Sequence, residues 1–156
     1  MGIEKEIHQG KFRSNGQKAM LNIMFTYGWI NEKIKNILAP EDITPQQYNI
    51  LRILRGSSPQ PLSTLQIRER MLDRMSDTSR IVDRLVAKQL VKKVICAKDR
   101  RLVDVTITEK GQSLLKKLDS DVNHIEDLTK NLTEEEAKTI SELLDKLREG
   151  KKKINL

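Results

Sequence analysis

Two β-rich runs stand close together in a chain whose apolar residues otherwise repeat at helical spacing. The first reads Val91-Lys92-Lys93-Val94-Ile95-Cys96-Ala97 and the second Leu102-Val103-Asp104-Val105-Thr106-Ile107, with Lys98-Asp99-Arg100-Arg101 between them. In the second run Val103, Val105 and Ile107 share one face while Asp104 and Thr106 share the other, the alternation of a half-buried strand. The pair predicts a single β-hairpin over about 90–107 with a cationic tip. The chain is therefore mainly α, with one small β element that its helices must accommodate.

The helices read as follows. Residues 1 to about 14 lack a clear pattern and read as a loose arm. From about 17 to 38, Met20, Ile23, Tyr27, Ile30, Ile34 and Ile37 are spaced 3, 4, 3, 4, 3, which predicts a long helix with heptad character. Ala39-Pro40 ends it. Thr44-Pro45-Gln46-Gln47 opens the next helix, with Thr44 as N-cap, Pro45 at N1 and Gln47 closing a capping box. That helix carries Tyr48, Ile50, Leu51, Ile53 and Leu54 and stops at Gly56. Ser63-Thr64-Leu65-Gln66 is a second capping box and starts a short helix to about Leu72. After a turn, Ser76 or Asp77 caps a helix to about Lys88, with Ile81, Val82 and Leu85 as its buried stripe. Two more helices follow the hairpin. One spans about 108–129 and carries Leu115, Leu118, Val122, Ile125 and Leu128. The other opens at Thr133-Glu134-Glu135-Glu136 and carries Ile140, Leu143, Leu144 and Leu147.

Composition narrows the function classes. The 156 residues carry a formal charge of +7, and its placement is uneven. Residues 62–101 hold eleven Lys and Arg against five Asp and Glu, while the rest of the chain holds 18 against 17. A localised basic block is the footprint of a polyanionic partner. Cys96 is the single cysteine, which excludes an intramolecular disulfide and fits a reducing cytosol. The polar start of the chain carries no signal peptide, and no apolar run approaches a membrane span. His8 and His124 are isolated, so no metal site is expected. Neither a cofactor nor enzymatic activity is expected, because nucleophile-elbow, phosphate-loop and zinc-protease motifs are all absent. The methionines read as gap-filling core.

Within the basic block, two short helices joined by a turn precede the hairpin. The second presents Ser76, Asp77, Arg80, Asp83, Arg84 and Ala87 outward, the pattern of a helix-turn-helix that enters a duplex groove. Arg80 and Arg84 lie one turn apart. Each either reads a base edge, touches phosphate, or is paired to Asp77 or Asp83. Ser76, Thr78 and Ser79 lie at the helix N-terminus, where hydroxyls and free N–H groups suit phosphate or serve as caps. Arg100 and Arg101 at the hairpin tip suit a narrow groove, where the potential is deeply negative and the guanidinium sheds water readily.

This order resembles the MarR (multiple antibiotic resistance regulator) family of bacterial transcription factors, over roughly 17–147. The resemblance is carried by Thr44-Pro45-Gln46-Gln47-Tyr48, by Ser79-Arg80-Ile81-Val82-Asp83-Arg84-Leu85, and by Asp99-Arg100-Arg101 followed by Thr108-Glu109-Lys110-Gly111. It implies a winged helix-turn-helix lobe over about 44–107 and dimerisation helices over about 17–39 and 108–149, in one domain of 1–156. It also implies an obligate homodimer on a pseudo-palindromic duplex, with Arg101 in the minor groove and Asp99 bracing it by a salt bridge. Two departures stand out. Gln89 replaces the glycine that often follows the recognition helix, so the helix must end another way or strain Gln89. The reactive cysteine that redox-sensing members carry near the first helix is missing.

The expected function is sequence-specific DNA binding by a homodimeric regulator, by default a repressor, with release by a small-molecule effector as a further possibility. An effector pocket is expected between dimer base and lobe, near Tyr27, Trp29 and Tyr48. The same first-helix stripe could instead be core or dimer interface. The alternative is a winged-helix adaptor for proteins, which would have no need of Arg80, Arg84, Arg100 and Arg101 on one surface. Cys96, in a hairpin strand without a nearby His, reads as an inert thiol rather than a redox switch.

Overall fold

The structure, a computed structural model, describes residues 2–95 and 103–149, the side chains of 122–126 excepted. Its helices are α1 (Ile3–Glu6), α2 (Asn15–Leu38), α3 (Pro45–Ser57), α4 (Thr64–Arg70), α5 (Thr78–Ala87), α6 (Glu109–Glu126) and α7 (Glu134–Glu149). Its strands are β1 (Leu62–Ser63), β2 (Val91–Ile95) and β3 (Val103–Ile107), and short 3-10 turns follow α2 and α6. Among the described residues no helix is long and apolar enough to cross a membrane.

Local chemistry sets most boundaries. Thr44 and Gln47 form a reciprocal capping box at α3, and Ser63 and Gln66 form another at α4. Thr133 and Glu136 do the same at α7, where the two hydrogen bonds from Thr133 hold the Glu136 carboxyl below its usual range. These boxes satisfy backbone donors that the first helical turn leaves free.

The core gathers where α3, α4, α5 and the sheet meet α6. Leu38, Ile50, Leu51, Leu54, Ile67, Val82, Leu85, Val105, Leu115 and Leu118 are all buried in it. Arg55 on α3 donates to both carboxylate oxygens of Asp119 on α6, each at 3.0 Å, and so ties the lobe to the long C-terminal helix.

The β element has three strands, not two. β2 and β3 pair antiparallel from Val91↔Ile107 to Ile95↔Val103, and β1 adds to the far edge of β3 through Leu62↔Val105. Two residues are too few to show alternation, and pairing across this distance leaves no local trace. Val91 is buried at the base of the ladder whereas Val94 and Ile95 are exposed, so the hairpin runs outward from the core. Cys96, Asp99, Arg100 and Arg101 lie outside the described residues.

Other expectations need correction. The loose arm contains α1, whose Ile3 is buried and whose Glu4 pairs with Lys18 on α2. The methionines are not all core: Met71 is buried, but Met20, Met24 and Met75 are exposed.

Helix α5 ends on Gln89, which takes φ 61°. The Leu90 N–H reaches the Leu85 carbonyl at 3.0 Å and the Gln89 N–H reaches Val86 at 2.9 Å, the paired bonds of a Schellman end. A Cβ in this left-handed conformation costs free energy that glycine avoids. Gln89→Gly is expected to stabilise the fold by about 0.5–1 kcal/mol after the greater unfolded-state entropy of glycine is set against the relieved strain. Equilibrium urea unfolding would show a higher midpoint at unchanged slope; a lower midpoint would mean that the Gln89 side chain contributes more than its backbone loses.

Candidate nucleic-acid interface

Asp77, not Ser76, caps α5: its carboxylate accepts from the Arg80 N–H at 3.2 Å. That choice fixes which residues face inward. Thr78, Val82 and Leu85 form the buried stripe. Thr78 is 4% exposed, and its hydroxyl donates to the Met71 sulfur at 3.4 Å. Thr78 is therefore a packing residue, which removes it from the expected contact surface. Ser76 is half-buried and its hydroxyl donates to Asp73 at 2.8 Å. Ser79, Arg80 and Arg84 are exposed.

Arg80 and Arg84 differ in setting. At 100° per residue, Arg80 lies close to the direction opposite the Val82–Leu85 stripe, beside Ala87. Among the described residues its only ion pair is a loose one to Asp77 at 3.8 Å, with both side chains mostly exposed. Arg84 lies toward the flank, where it borders a shallow groove with Ala39, Asp42, Ile43 and Thr44. Asp83 is neutralised by Lys93 of β2, which docks the hairpin on the helix.

More cations surround this face than the sequence reading singled out. Arg68 and Arg70 on α4 and Arg74 in the turn are exposed and, among the described residues, have no carboxylate partner. Their clustering inside the basic block was the available signal. With the exposed Arg80, Arg84 and Lys92 they give the helix-turn-helix and the base of the hairpin six exposed cations, a set suited to phosphates flanking a groove.

The turn from α4 to α5 is held by side chains. Asp73 accepts from the Met75 N–H at 3.1 Å as well as from Ser76. Asn49 on α3 accepts from the Leu72 N–H at 3.0 Å. Asn49, Leu72 and Asp73 also border a cleft of about 310 Å³ between α2 and the lobe, lined further by Tyr27, Ile34, Tyr48 and Arg52. Tyr27 and Tyr48 both border this cleft, but Trp29 does not: two residues past Tyr27 on α2, it points to the other side of the helix. The Arg52 guanidinium sits 5.9 Å from the Tyr48 ring centre. Burial raises the Tyr48 phenol above its ordinary range, opposed by the positive charges of Arg52 and Arg55.

The exposed apolar residues Met20, Ile23, Met24 and Tyr27 run along α2, and Ile140, Leu143 and Leu147 along α7. These helices lie on either side of the basic block in sequence, and each presents its exposed apolar residues at helical spacing.

A MarR family model matches residues 41–102, which span the lobe from α3 into the hairpin. MhqR, an HTH-type transcriptional regulator of Bacillus subtilis (strain 168), is 28% identical over 131 residues, covering 83% of this chain and 89% of MhqR. The fold also matches a crystal structure of a mutant Escherichia coli MarR complexed with operator DNA, at TM-score 0.74 and 24% identity over 94% of this chain and 99% of that one. At 32% identity, the MarR transcription factor of Planctomyces limnophilus aligns over 89% of this chain and 98% of its own, with TM-score 0.67. Agreement of that extent in sequence, together with the helix-turn-helix and three-stranded wing, establishes that this chain belongs to the MarR family of winged helix-turn-helix transcriptional regulators.

Proposed function

We propose that the protein is a homodimeric repressor that binds a pseudo-palindromic operator and is released by a small molecule. The observation that carries the reading is the exposed α5 face, with Arg80 and Arg84 outward and, on α4 and in the turn before it, Arg68, Arg70 and Arg74 without a carboxylate partner among the described residues. Helix α5 enters the major groove, Ser79 and the flanking arginines hold phosphates, and the hairpin reaches the neighbouring minor groove with Arg100 and Arg101, Asp99 bracing the latter. The apolar stripes of α2 and α7 supply the dimer base. A dimer is mechanically needed because one lobe reads only a few base pairs, whereas two lobes about 34 Å apart reach successive grooves on one face.

The cleft between α2 and the lobe supports effector control. A molecule seated there would touch Asn49 and Asp73, whose hydrogen bonds hold the turn that leads into α5. A ligand that binds better when this turn or the lobe spacing is changed would shift the population away from the DNA-competent form.

The test is a titration of a labelled duplex from upstream of the protein's own gene, at several salt concentrations, beside a random duplex. Counterion release predicts that affinity falls by about a thousandfold or more between about 50 and 200 mM salt. Arg101→Ala is expected to weaken binding by about tenfold or more. Equal binding to both duplexes would remove self-regulation and send the search to selection from random DNA. Failure to bind any duplex at low salt would overturn the reading.

A further inference from the structure

The turn before the recognition helix carries the two most exposed large apolar side chains among the described residues, Leu72 at 92% and Met75 at 94%. The turn runs from Met71, which closes α4, to Asp77, which caps α5. It is longer than the three or four residues of a minimal helix-turn-helix, so it forms a raised lip. The lip is not loose. Asp73 accepts from the Met75 backbone and from the Ser76 hydroxyl, the Ser76 N–H reaches the Asp73 carbonyl, and Asn49 pins Leu72. Side chains on a lip held this way are presented outward by its backbone.

The two residues differ in surroundings. Leu72 borders the cleft facing α2. Met75 does not border that cleft; it stands two residues before the Asp77 cap, beside Arg74 and Ser76. In a helix-turn-helix the N-terminal end of the second helix is the part that meets base edges. A methionine placed there, next to the exposed Arg74, would have the bound duplex as its neighbour, and the apolar group that a duplex offers in its major groove is the thymine C5-methyl.

We infer that Met75 is a specificity-determining residue: its thioether packs on thymine methyl groups at the edge of each half-site. The inference rests on the DNA-binding reading above. It adds a sequence preference that no hydrogen-bonding side chain of α5 would supply. A flexible, polarisable side chain suits this role because it can fit the methyl at more than one groove width.

The experiment uses the full chain and a duplex recovered by selection from random DNA. Each thymine of a half-site is replaced in turn by deoxyuracil, which removes the methyl and leaves pairing intact. Wild type is expected to lose affinity about fourfold per half-site at one position, the effect of exposing one buried methyl-sized group. Met75→Ala is expected to bind the thymine duplex about as weakly as wild type binds the uracil one, to ignore the substitution at that position, and to keep the wild-type salt slope and melting temperature. If Met75→Ala binds like wild type, or if it loses affinity equally on thymine and uracil duplexes, Met75 does not read the methyl. If wild type selects no duplex at all, the DNA-binding reading falls first and this inference with it.

Discussion

Gly111→Ala is expected to destabilise the protein by about 3 kcal/mol, within the range for forcing an extra carbon into a packed site. The ordinary expectation has the opposite sign, because alanine in a helix is favoured over glycine by about 1 kcal/mol. Packing decides the outcome here. A Cβ at position 111 would lie 2.3 Å from the Leu90 carbonyl oxygen and 2.8 Å from Cγ1 of Ile107. The first is backbone and cannot rotate away. That oxygen also accepts from the Thr108 N–H at 3.1 Å, so withdrawing α6 to make room would stretch the bond as well. The melting temperature should fall by about 10 °C for a chain of this size. Gly56→Ala is the control, since nothing lies within 4 Å of a Cβ there, and it should leave the melting temperature unchanged or raise it. If Gly111→Ala melted at or above wild type, the close approach of α6 to the end of the recognition helix would be wrong.

On the proposed reading, Arg80→Ala is expected to weaken operator binding about a hundredfold, because the proposed symmetric dimer would lose two base contacts at once and each is worth roughly tenfold. Nothing in the free protein opposes Arg80 in making that contact. Its pair with Asp77 is long and solvated, and such pairs contribute little. Arg84→Ala should behave differently. In the proposed complex its position on the flank puts it against phosphate, so its loss should weaken all duplexes alike and lower the salt slope by about two, one for each protomer of the proposed dimer. Titration of each variant against the selected duplex and its single-base variants separates the two roles. Arg80→Ala should relax preference at one symmetric position and Arg84→Ala at none; the reverse pattern would exchange their assignments.

Local chemistry was the most legible part of this chain. The boxes at Thr44, Ser63 and Thr133 each involve residues three apart, and the spacing of α2 is carried by its own side chains. The strain at Gln89 was legible too, because a Schellman end asks for a residue that tolerates positive φ. What escaped was set by distant partners. Leu62 becomes a strand residue only because Val105 lies beside it, and α1 forms where Ile3 finds cover and Glu4 finds Lys18. Two errors were avoidable. With Asp77 as cap, Thr78, Val82 and Leu85 fall on one stripe, so Thr78 had to face inward. Tyr27 and Trp29 are about 200° apart on a helix and cannot line one cleft. The exposure of Met75 did have a signal, since Asp73, Arg74, Ser76 and Asp77 around it are all polar.

The lobe is fastened to its long helices at both chain crossings. At one, Lys88 at the end of α5 grips the Asp42 backbone carbonyl and, at 3.0 Å, its carboxylate, in the segment between α2 and α3. At the other, Thr108 donates from its hydroxyl to the Gln89 carbonyl at 2.8 Å and Lys110 donates to Lys88 at 3.0 Å. Each crossing is thus tied by side-chain bonds that span it, like a lever welded to its shaft at two points. In the proposed dimer, a change in reach between two such levers would come from flexing of α2 and α6 along their length, or from one base sliding over the other. Loosening a weld by Lys88→Ala would make the lever slack, and a force applied at the base would then be lost before it reached the groove.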